Sequence, residues 1–311
     1  MKRNLVVVAG PTAVGKTEYA IKFAENYNGE IISLDSVQVY KYLDIGSAKP
    51  SKTELLSVKH YMIDEVEPNI NLNVKEYKEM VDHYIELIYS RNKLPILVGG
   101  TGFYIKAILY DTDFLYEDET DAKAIRKQIY EKLENEGIDS LYEELRKVDP
   151  DSIEKIPKEN VRRVIRAIEF YRLHNIPISV HNKIENKKES KYNYKFYVLN
   201  MDRDLLYNRI NKRVDMMIEK GLLKEVKTLI NMGLTKDMNS MKSIGYSELY
   251  DFCSKRDMIE NIKDLDDESK IELNSLIDLI KQHSRNYAKR QLTWFKAQKN
   301  IVWVDVNNEE E

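Results

Sequence analysis

The sequence predicts an α/β protein: a P-loop parallel sheet with helices on both faces, plus a helical insertion domain. Three observations predict it. Residues Gly10-Pro11-Thr12-Ala13-Val14-Gly15-Lys16-Thr17 form a Gly-x-x-x-x-Gly-Lys-Thr loop. An apolar run leads into that loop and a helical pattern leaves it, which is the context a P-loop requires. Short apolar strand candidates also alternate with helical patterns until Phe114, where the strand signal stops and returns only after Tyr192.

The elements follow in order. Leu5–Ala9 is apolar throughout, as expected of a strand covered on both faces. Glu18–Asn26 has helical spacing, and further strands are expected at Glu30–Leu34, Pro95–Val98, Phe196–Asn200 and Ile301–Val306. Val74, Tyr77, Val81, Tyr84, Ile85 and Ile88 fall on one helical face ahead of Pro95. Within the insertion, Ala122–Asn135, Ser140–Lys147 and Asn160–His174 read as helices, and the Lys/Asn-rich stretch Asn182–Tyr194 reads as a loop. Arg203 to Lys299 is mostly helical, with acidic Asp266–Glu272 preceding a long helix to Ala297, and the acidic tail Asn307–Glu311 is expected to fray. The expected division is a core of 1–113 with 193–311, and a helical insertion domain of 114–192.

Composition removes several classes of function. The single cysteine, Cys253, excludes a disulfide framework and a zinc finger, and fits a reducing cytoplasm. His60, His83, His174, His181 and His283 have no ligand spacing. The apolar run after Met1-Lys2-Arg3 is too short for a signal peptide, and no stretch approaches the ~18 apolar residues of a membrane span. A cytoplasmic monomer is the expectation.

The strand ends carry the chemistry, because ligands of parallel sheets sit beyond the carboxyl ends of the strands. The P-loop amides and Lys16 suit the phosphates of a di- or triphosphate, and the Thr17 hydroxyl suits a magnesium ion. Strand Glu30–Leu34 ends in Asp35-Ser36-Val37-Gln38, where the carboxylate can hold magnesium, serve as a general base, or cap the next element. Strand Pro95–Val98 ends in Gly99-Gly100-Thr101-Gly102, with no acid to hold a nucleotide's metal. That weakens an ATPase and favours a transferase with an unusual phosphate substrate.

The formal net charge is only −3, so a nucleic-acid partner has to be read from local patches. Lys281–Asn300 carries Lys281, Arg285, Lys289, Arg290, Lys296 and Lys299 with no acid, interleaved with Tyr287, Trp294 and Phe295. Asn160–Leu173 carries Arg162, Arg163, Arg166 and Arg172 against Glu169 alone. The first three of these arginines sit in the opening turns of a helix, where the dipole disfavours cations, so an anionic partner is indicated.

Six motifs together resemble the bacterial tRNA dimethylallyltransferases, over nearly the whole chain. They are the P-loop; Asp35-Ser36-Val37-Gln38-Val39-Tyr40 with Leu43-Asp44-Ile45-Gly46-Ser47-Ala48-Lys49-Pro50; Leu94 to Tyr104; Arg162 to Glu169; Ser243-Ile244-Gly245-Tyr246; and Ala288 to Phe295. The resemblance implies transfer of a dimethylallyl group from dimethylallyl diphosphate to the N6 amine of adenosine-37, with Mg2+ as cofactor. It implies that Gly10 to Thr17 and Arg213 hold the donor's diphosphate, that Asp35 takes the amine proton, and that Thr101 bonds near the reacting centre. It places tRNA anticodon stem-loop contacts at Asp35, Ser36, Val37, Gln38, Thr101, Arg126, Arg162, Arg163, Val164, Ile165, Arg166, Ser243, Gly245, Tyr246, Arg285, Lys289 and Arg290. A base flipped into the site is expected, with Gln38 reading its edge.

The chain departs from the family at Pro157-Lys158-Glu159-Asn160, where His-Pro-Asn-Asp is usual, and in a longer, more acidic Cys253–Asn274 segment. Three other readings remain open: an ATP-dependent small-molecule kinase, a prenyltransferase of free adenine nucleotides, and a non-enzymatic nucleotide-gated RNA-binding module.

Overall fold

The computed structural model describes residues 2–115, 119–257, 262 and 265–307. They fall into two compact units, one of residues 1–109 with 191–311 and one of residues 110–190.

The larger unit is built on six strands: β1 (Arg3–Ala9), β2 (Gly29–Ser33), β3 (His60–Tyr61), β4 (Leu94–Gly99), β5 (Tyr192–Asn200) and β6 (Val302–Asp305). They form one sheet in the order β3-β2-β4-β1-β5-β6, and every pairing is parallel. Parallel neighbours need crossovers, and helices supply them. Between β1 and β4 lie α1 (Lys16–Asn26), α2 (Lys52–Ser57) and α3 (Val74–Ser90), and α4 (Gly102–Leu109) follows β4. The inner strands are apolar and buried because both faces are covered, with Val6, Val7, Val8, Ile31, Ile32, Ile96 and Leu97 all in the core.

Helix α3 buries Tyr77, Val81, Ile85 and Ile88, the stripe its spacing predicts. Its start is fixed by a capping box in which Asn73 Oδ1 accepts from the Glu76 N–H and the Glu76 carboxylate accepts from the Asn73 N–H. Register brings the strand ends level, since Ala9 is opposite Gly99 and Val98 is opposite Ser33. The P-loop, Asp35 and Thr101 therefore leave one edge of the sheet side by side.

The smaller unit is all helical: α5 (Glu119–Val148), α6 (Pro150–Ile153), α7 (Val161–His174) and α8 (Ile178–Glu185). Gly137, at φ 78, breaks α5 into two helical stretches, as a glycine with a left-handed backbone does. Its core holds Ile129, Leu141, Leu145, Val164, Ile165, Ala167 and Ile168. Asn160 caps α7 by accepting from the Arg163 N–H, so the departure at Pro157–Asn160 leaves the helix start intact. The expected loop Asn182–Tyr194 is shorter than the sequence suggests: α8 runs to Glu185 and β5 begins at Tyr192. Polar composition there hid a helix end and a half-exposed strand start.

The larger unit is completed by α9 (Arg203–Glu219), α10 (Leu222–Asn231), a 3-10 turn (Asn239–Lys242), α11 (Tyr246–Ser254) and α12 (Asp267–Lys296). Acidic Asp267 and Glu268 form the first turn of α12, where the dipole favours them, rather than a segment ahead of it. Within the acidic stretch Cys253–Asn274, positions 258–261 and 263–264 lie outside the described residues, as do 308–311 of the tail. No helix among the described residues is long and apolar enough to cross a membrane.

Candidate active site

The phosphate loop is built by backbone conformations that its sequence permits. Ala13 has φ 65 and Gly15 has φ 100, so successive N–H groups turn inward ahead of α1, forming an anion-binding nest. The Lys16 ammonium donates to the Pro11 carbonyl at 2.7 Å, folding back across the loop. Desolvation pushes its pKa down to about 7; the nearby Arg213 guanidinium adds to the effect and Asp35 opposes it. Burial likewise lowers Arg213, against the pull of Asp35. Two cations and one carboxylate are thus gathered beside the loop.

Asp35 leaves β2 in a tight turn. Its Oδ1 accepts from the N–H groups of Val37 at 2.8 Å and Gln38 at 3.2 Å. The capping task and a chemical task are therefore compatible, because Oδ2 takes no part in that turn. The Tyr77 hydroxyl pins the same strand end, donating to the Ser33 carbonyl at 2.9 Å and lying 3.3 Å from that of Asp35. The Tyr77 ring stacks on Tyr104 with centroids 4.2 Å apart.

Asp35 borders two hollows. One, of about 50 Å³, is shared with Lys16, Thr17, Ser33 and Gln38. The other, of about 330 Å³, is lined by Thr12, Ser36, Val37, Arg213, Tyr287 and Arg290 among others. The first is water-sized and the second is large enough for a small organic group or a base.

Several expected contacts land on the second cleft: Ser36, Val37, Ser243, Gly245 and Arg290 line it. Others do not. The Tyr246 side chain is fully buried, its hydroxyl donating to Glu225 at 2.6 Å. Val164 and Ile165 are buried in the helical unit, which is a correction: helical periodicity turns them inward, so their side chains cannot meet a surface partner. Gln38 is already engaged, with Oε1 accepting from the Ser33 hydroxyl at 2.9 Å and Nε2 donating to the Ser47 and Ala48 carbonyls, each at 3.3 Å. Thr101 Oγ1 lies 3.5 Å from the Tyr287 hydroxyl, at the limit of a hydrogen bond, and Thr101 borders neither hollow. Arg285 donates to Asn211, and Lys289 is exposed.

In the helical unit, Arg162 and Arg163 are exposed. Arg126 and Arg166 are half-exposed and share the buried Glu169 carboxylate, at 2.6 and 3.3 Å. That arrangement explains how a carboxylate is tolerated in an apolar core.

The sequence places Gln291 within the Ala288–Phe295 motif but gives no sign of its role at the phosphate loop. Its Oε1 accepts from the Thr12 N–H at 2.9 Å and its Nε2 donates to the Gly100 carbonyl at 3.1 Å, tying α12 to both the P-loop and the β4 turn. The glycines of that turn are required by this close approach: a Cβ on Gly100 would lie 2.0 Å from Gln291 Nε2, and one on Gly102 would lie 2.2 Å from the Trp294 ring.

The fold and these groups define a P-loop α/β protein whose phosphate loop opens beside a carboxylate and a cleft. The chain belongs to the IPP transferase family, whose model matches residues 38–298, beginning just after the P-loop and Asp35. It is 43% identical over 300 residues to a tRNA dimethylallyltransferase of Lachnoclostridium phytofermentans, covering 96% of this chain and 91% of that protein. The crystal structure of a full-length tRNA isopentenylpyrophosphate transferase from Bacillus halodurans is similar with a TM-score of 0.68 and 36% identity, covering 100% of this chain and 92% of that one. A eukaryotic dimethylallyltransferase, captured acting on tRNA, matches with a TM-score of 0.77 and 26% identity over 98% of this chain and 74% of that one.

Proposed function

We propose that this protein transfers a dimethylallyl group from dimethylallyl diphosphate to the N6 amine of adenosine-37 in tRNA. One observation carries the reading of the site: Asp35 borders both the hollow that holds Lys16 and Thr17 and the larger cleft beside it. A carboxylate so placed can receive a proton from a base in the cleft while the phosphate loop grips the leaving group.

The exocyclic amine is a weak nucleophile, because its lone pair is delocalised into the ring. The allylic carbon of the donor tolerates positive charge. As the nitrogen–carbon bond forms, the carbon–oxygen bond to the diphosphate breaks and the diphosphate leaves with the electron pair. The amine proton passes to Asp35. Lys16, Arg213 and the P-loop amides neutralise the charge that develops on the leaving group.

Magnesium fits this site as a phosphate-borne ion. No group of three or more acidic, histidine or cysteine side chains among the described residues could cage a metal. The Thr17 hydroxyl and the diphosphate oxygens would hold it, with waters completing the shell, which is the ordinary way proteins bind Mg2+ beside phosphates. When bound, it would stabilise the departing diphosphate. On the RNA side, Ser36, Val37, Ser243, Gly245 and Arg290 would line the base's cleft. Arg162, Arg163, Lys289 and the outer faces of Arg126 and Arg166 would meet phosphates.

The test uses radiolabelled dimethylallyl diphosphate with unmodified tRNA or with AMP, each with and without ATP. Label is expected in tRNA alone, without need of ATP. Label in AMP would favour a free-nucleotide enzyme, and transfer of an ATP γ-phosphate would favour a kinase; either result refutes the proposal.

A further inference from the structure

Helix α9 brings two arginines to the phosphate loop. Arg209 and Arg213 are four residues apart, so they share a helix face and stand about 6 Å apart along its axis. Arg213 borders the larger cleft beside Asp35 and Thr12. Arg209 stands where the loop passes into α1: the position a Cβ would take on Gly15 lies 3.9 Å from Arg209 Nη2. Gly15 carries no side chain and has φ 100, so nothing separates the guanidinium from the loop backbone there.

Nearby polar groups of α9 are engaged and Arg209 is not. Asn211 accepts from Arg285 at 2.5 Å, and Asp215 pairs with Lys281 at 2.6 Å, both cations coming from α12. Arg209 is exposed and makes no hydrogen bond or ion pair among the described residues. A solitary guanidinium is ordinary on a helix surface, but this one lies against a nest of N–H groups shaped for an anion. Its planar fork of donors matches two oxygens of one phosphate. It also keeps its charge at any working pH, whereas burial leaves Lys16 titrating at about 7 in the empty loop.

We propose that Arg209 binds the terminal phosphate of the donor while Arg213 binds the phosphate joined to the prenyl carbon, so that one face of α9 clamps the diphosphate at both ends. This rests on the prenyl-transfer reading above. Placement decides which end is which. The carbon–oxygen bond that breaks has to lie where Asp35 and the cleft meet, and Arg213 is on that side. Arg209 borders neither hollow and faces solvent, on the side away from the reacting carbon. The clamp selects a diphosphate over a monophosphate, because a single phosphate cannot reach both guanidinium groups.

The experiment compares the full chain with Arg209→Gln, Arg209→Lys and Arg213→Gln. Calorimetry gives the Kd of inorganic diphosphate and of dimethylallyl diphosphate, and phosphorus NMR follows the two resonances of the bound donor at saturation. The Tm and the affinity for an anticodon stem-loop are recorded alongside. Arg209→Gln should weaken both diphosphates about ten- to a hundredfold, the scale of a lost charge-assisted hydrogen bond, with Tm and stem-loop affinity unchanged. Arg209→Lys should recover part of that loss, since it keeps the charge without the fork. The terminal phosphorus resonance should move in Arg209→Gln, and the carbon-linked one in Arg213→Gln. Diphosphate affinity within about twofold of the unaltered protein in Arg209→Gln overturns the proposal. So does a shift confined to the carbon-linked phosphorus, or a loss of stem-loop affinity with diphosphate affinity kept, which would put Arg209 on the RNA. If Arg209→Gln does not fold, Arg209→Lys decides by the same readouts. Absence of label in tRNA with the unaltered protein rejects the transfer reading, whereas inorganic diphosphate tests the clamp by itself.

Discussion

Lys16 gives the sharpest test of the phosphate loop. Its pKa of about 7 arises from desolvation first and from Arg213 second. One pH unit above that value, about a tenth of an amine remains protonated. A diphosphate seated in the loop brings opposite charge into contact and restores the ammonium. Binding of dimethylallyl diphosphate at pH 8 should therefore draw about 0.9 proton from solution, and at pH 7 about half a proton. The ligand contributes little at pH 8, because the last ionisation of such phosphates lies near ~6. Calorimetric titration in buffers of different ionisation enthalpy reads the uptake directly. The Lys16→Met variant should bind more weakly and take up no proton. Absence of uptake in the unaltered protein at pH 8, or its persistence in Lys16→Met, would refute the argument. The same shift has a consequence for folding. The unfolded lysine titrates near ~10.4, so between pH 7 and that value the unfolded chain binds more protons than the folded one. Stability of the free protein should rise with pH across that window, and the rise should be smaller in Lys16→Met.

Asp35→Asn keeps an oxygen for the Val37 and Gln38 N–H groups, so it should bind tRNA normally yet lose about 10² to 10⁴ in prenyl-transfer rate; near-normal turnover would reject the base assignment. Gln291→Ala strands the Thr12 N–H and the Gly100 carbonyl, and should cost about 1–3 kcal/mol by denaturant unfolding and weaken donor binding; an unchanged stability would show that water replaces both bonds. Gly102→Ala places a methyl against the rigid Trp294 ring, and should cost about 1–3 kcal/mol by the same measurement. Arg162→Ala and Arg163→Ala should each lower the slope of log affinity for tRNA against log salt by about 0.7–0.9. Arg126→Ala and Arg166→Ala should lower it less, because each already answers Glu169.

Much of the site was legible because its signals are local. Gly10 to Thr17 fixes its own turn, and the strand before it and helix after it follow within a few residues. Asp35 and Thr101 could be placed from strand ends alone, since parallel register sets those ends level. Strand β3 could not be seen: at two residues, His60 and Tyr61, it has no alternation to read, and it pairs only with β2. The arginine helix was read correctly as a helix, but a motif that names consecutive residues cannot say that Val164 and Ile165 turn inward while Arg162, Arg163 and Arg166 turn out. That distinction comes from the 3.6-residue period and had to be applied position by position.

The roles that sequence reasoning missed share one property: the partners are far away in the chain. Gln291 meets Thr12 across 279 residues, and Glu225 meets Ile45 across 180. On its own helix each is an ordinary polar residue, and neither spacing nor composition marks it. The structure shows why such groups matter more than their local setting suggests. The P-loop N–H groups and the Asp44–Gly46 N–H groups are turns that cannot satisfy themselves, and buried donors without partners are costly. A turn shaped to receive an anion takes a ligand, a protein oxygen or water. Glu225, on α10, fills one such turn, accepting from the Asp44, Ile45 and Gly46 N–H groups. The P-loop keeps its nest for a ligand, with Gln291 supporting only Thr12 at its rim. The two turns use the same backbone chemistry; the difference between scaffold and site lies in whether a carboxylate from elsewhere in the chain reaches it.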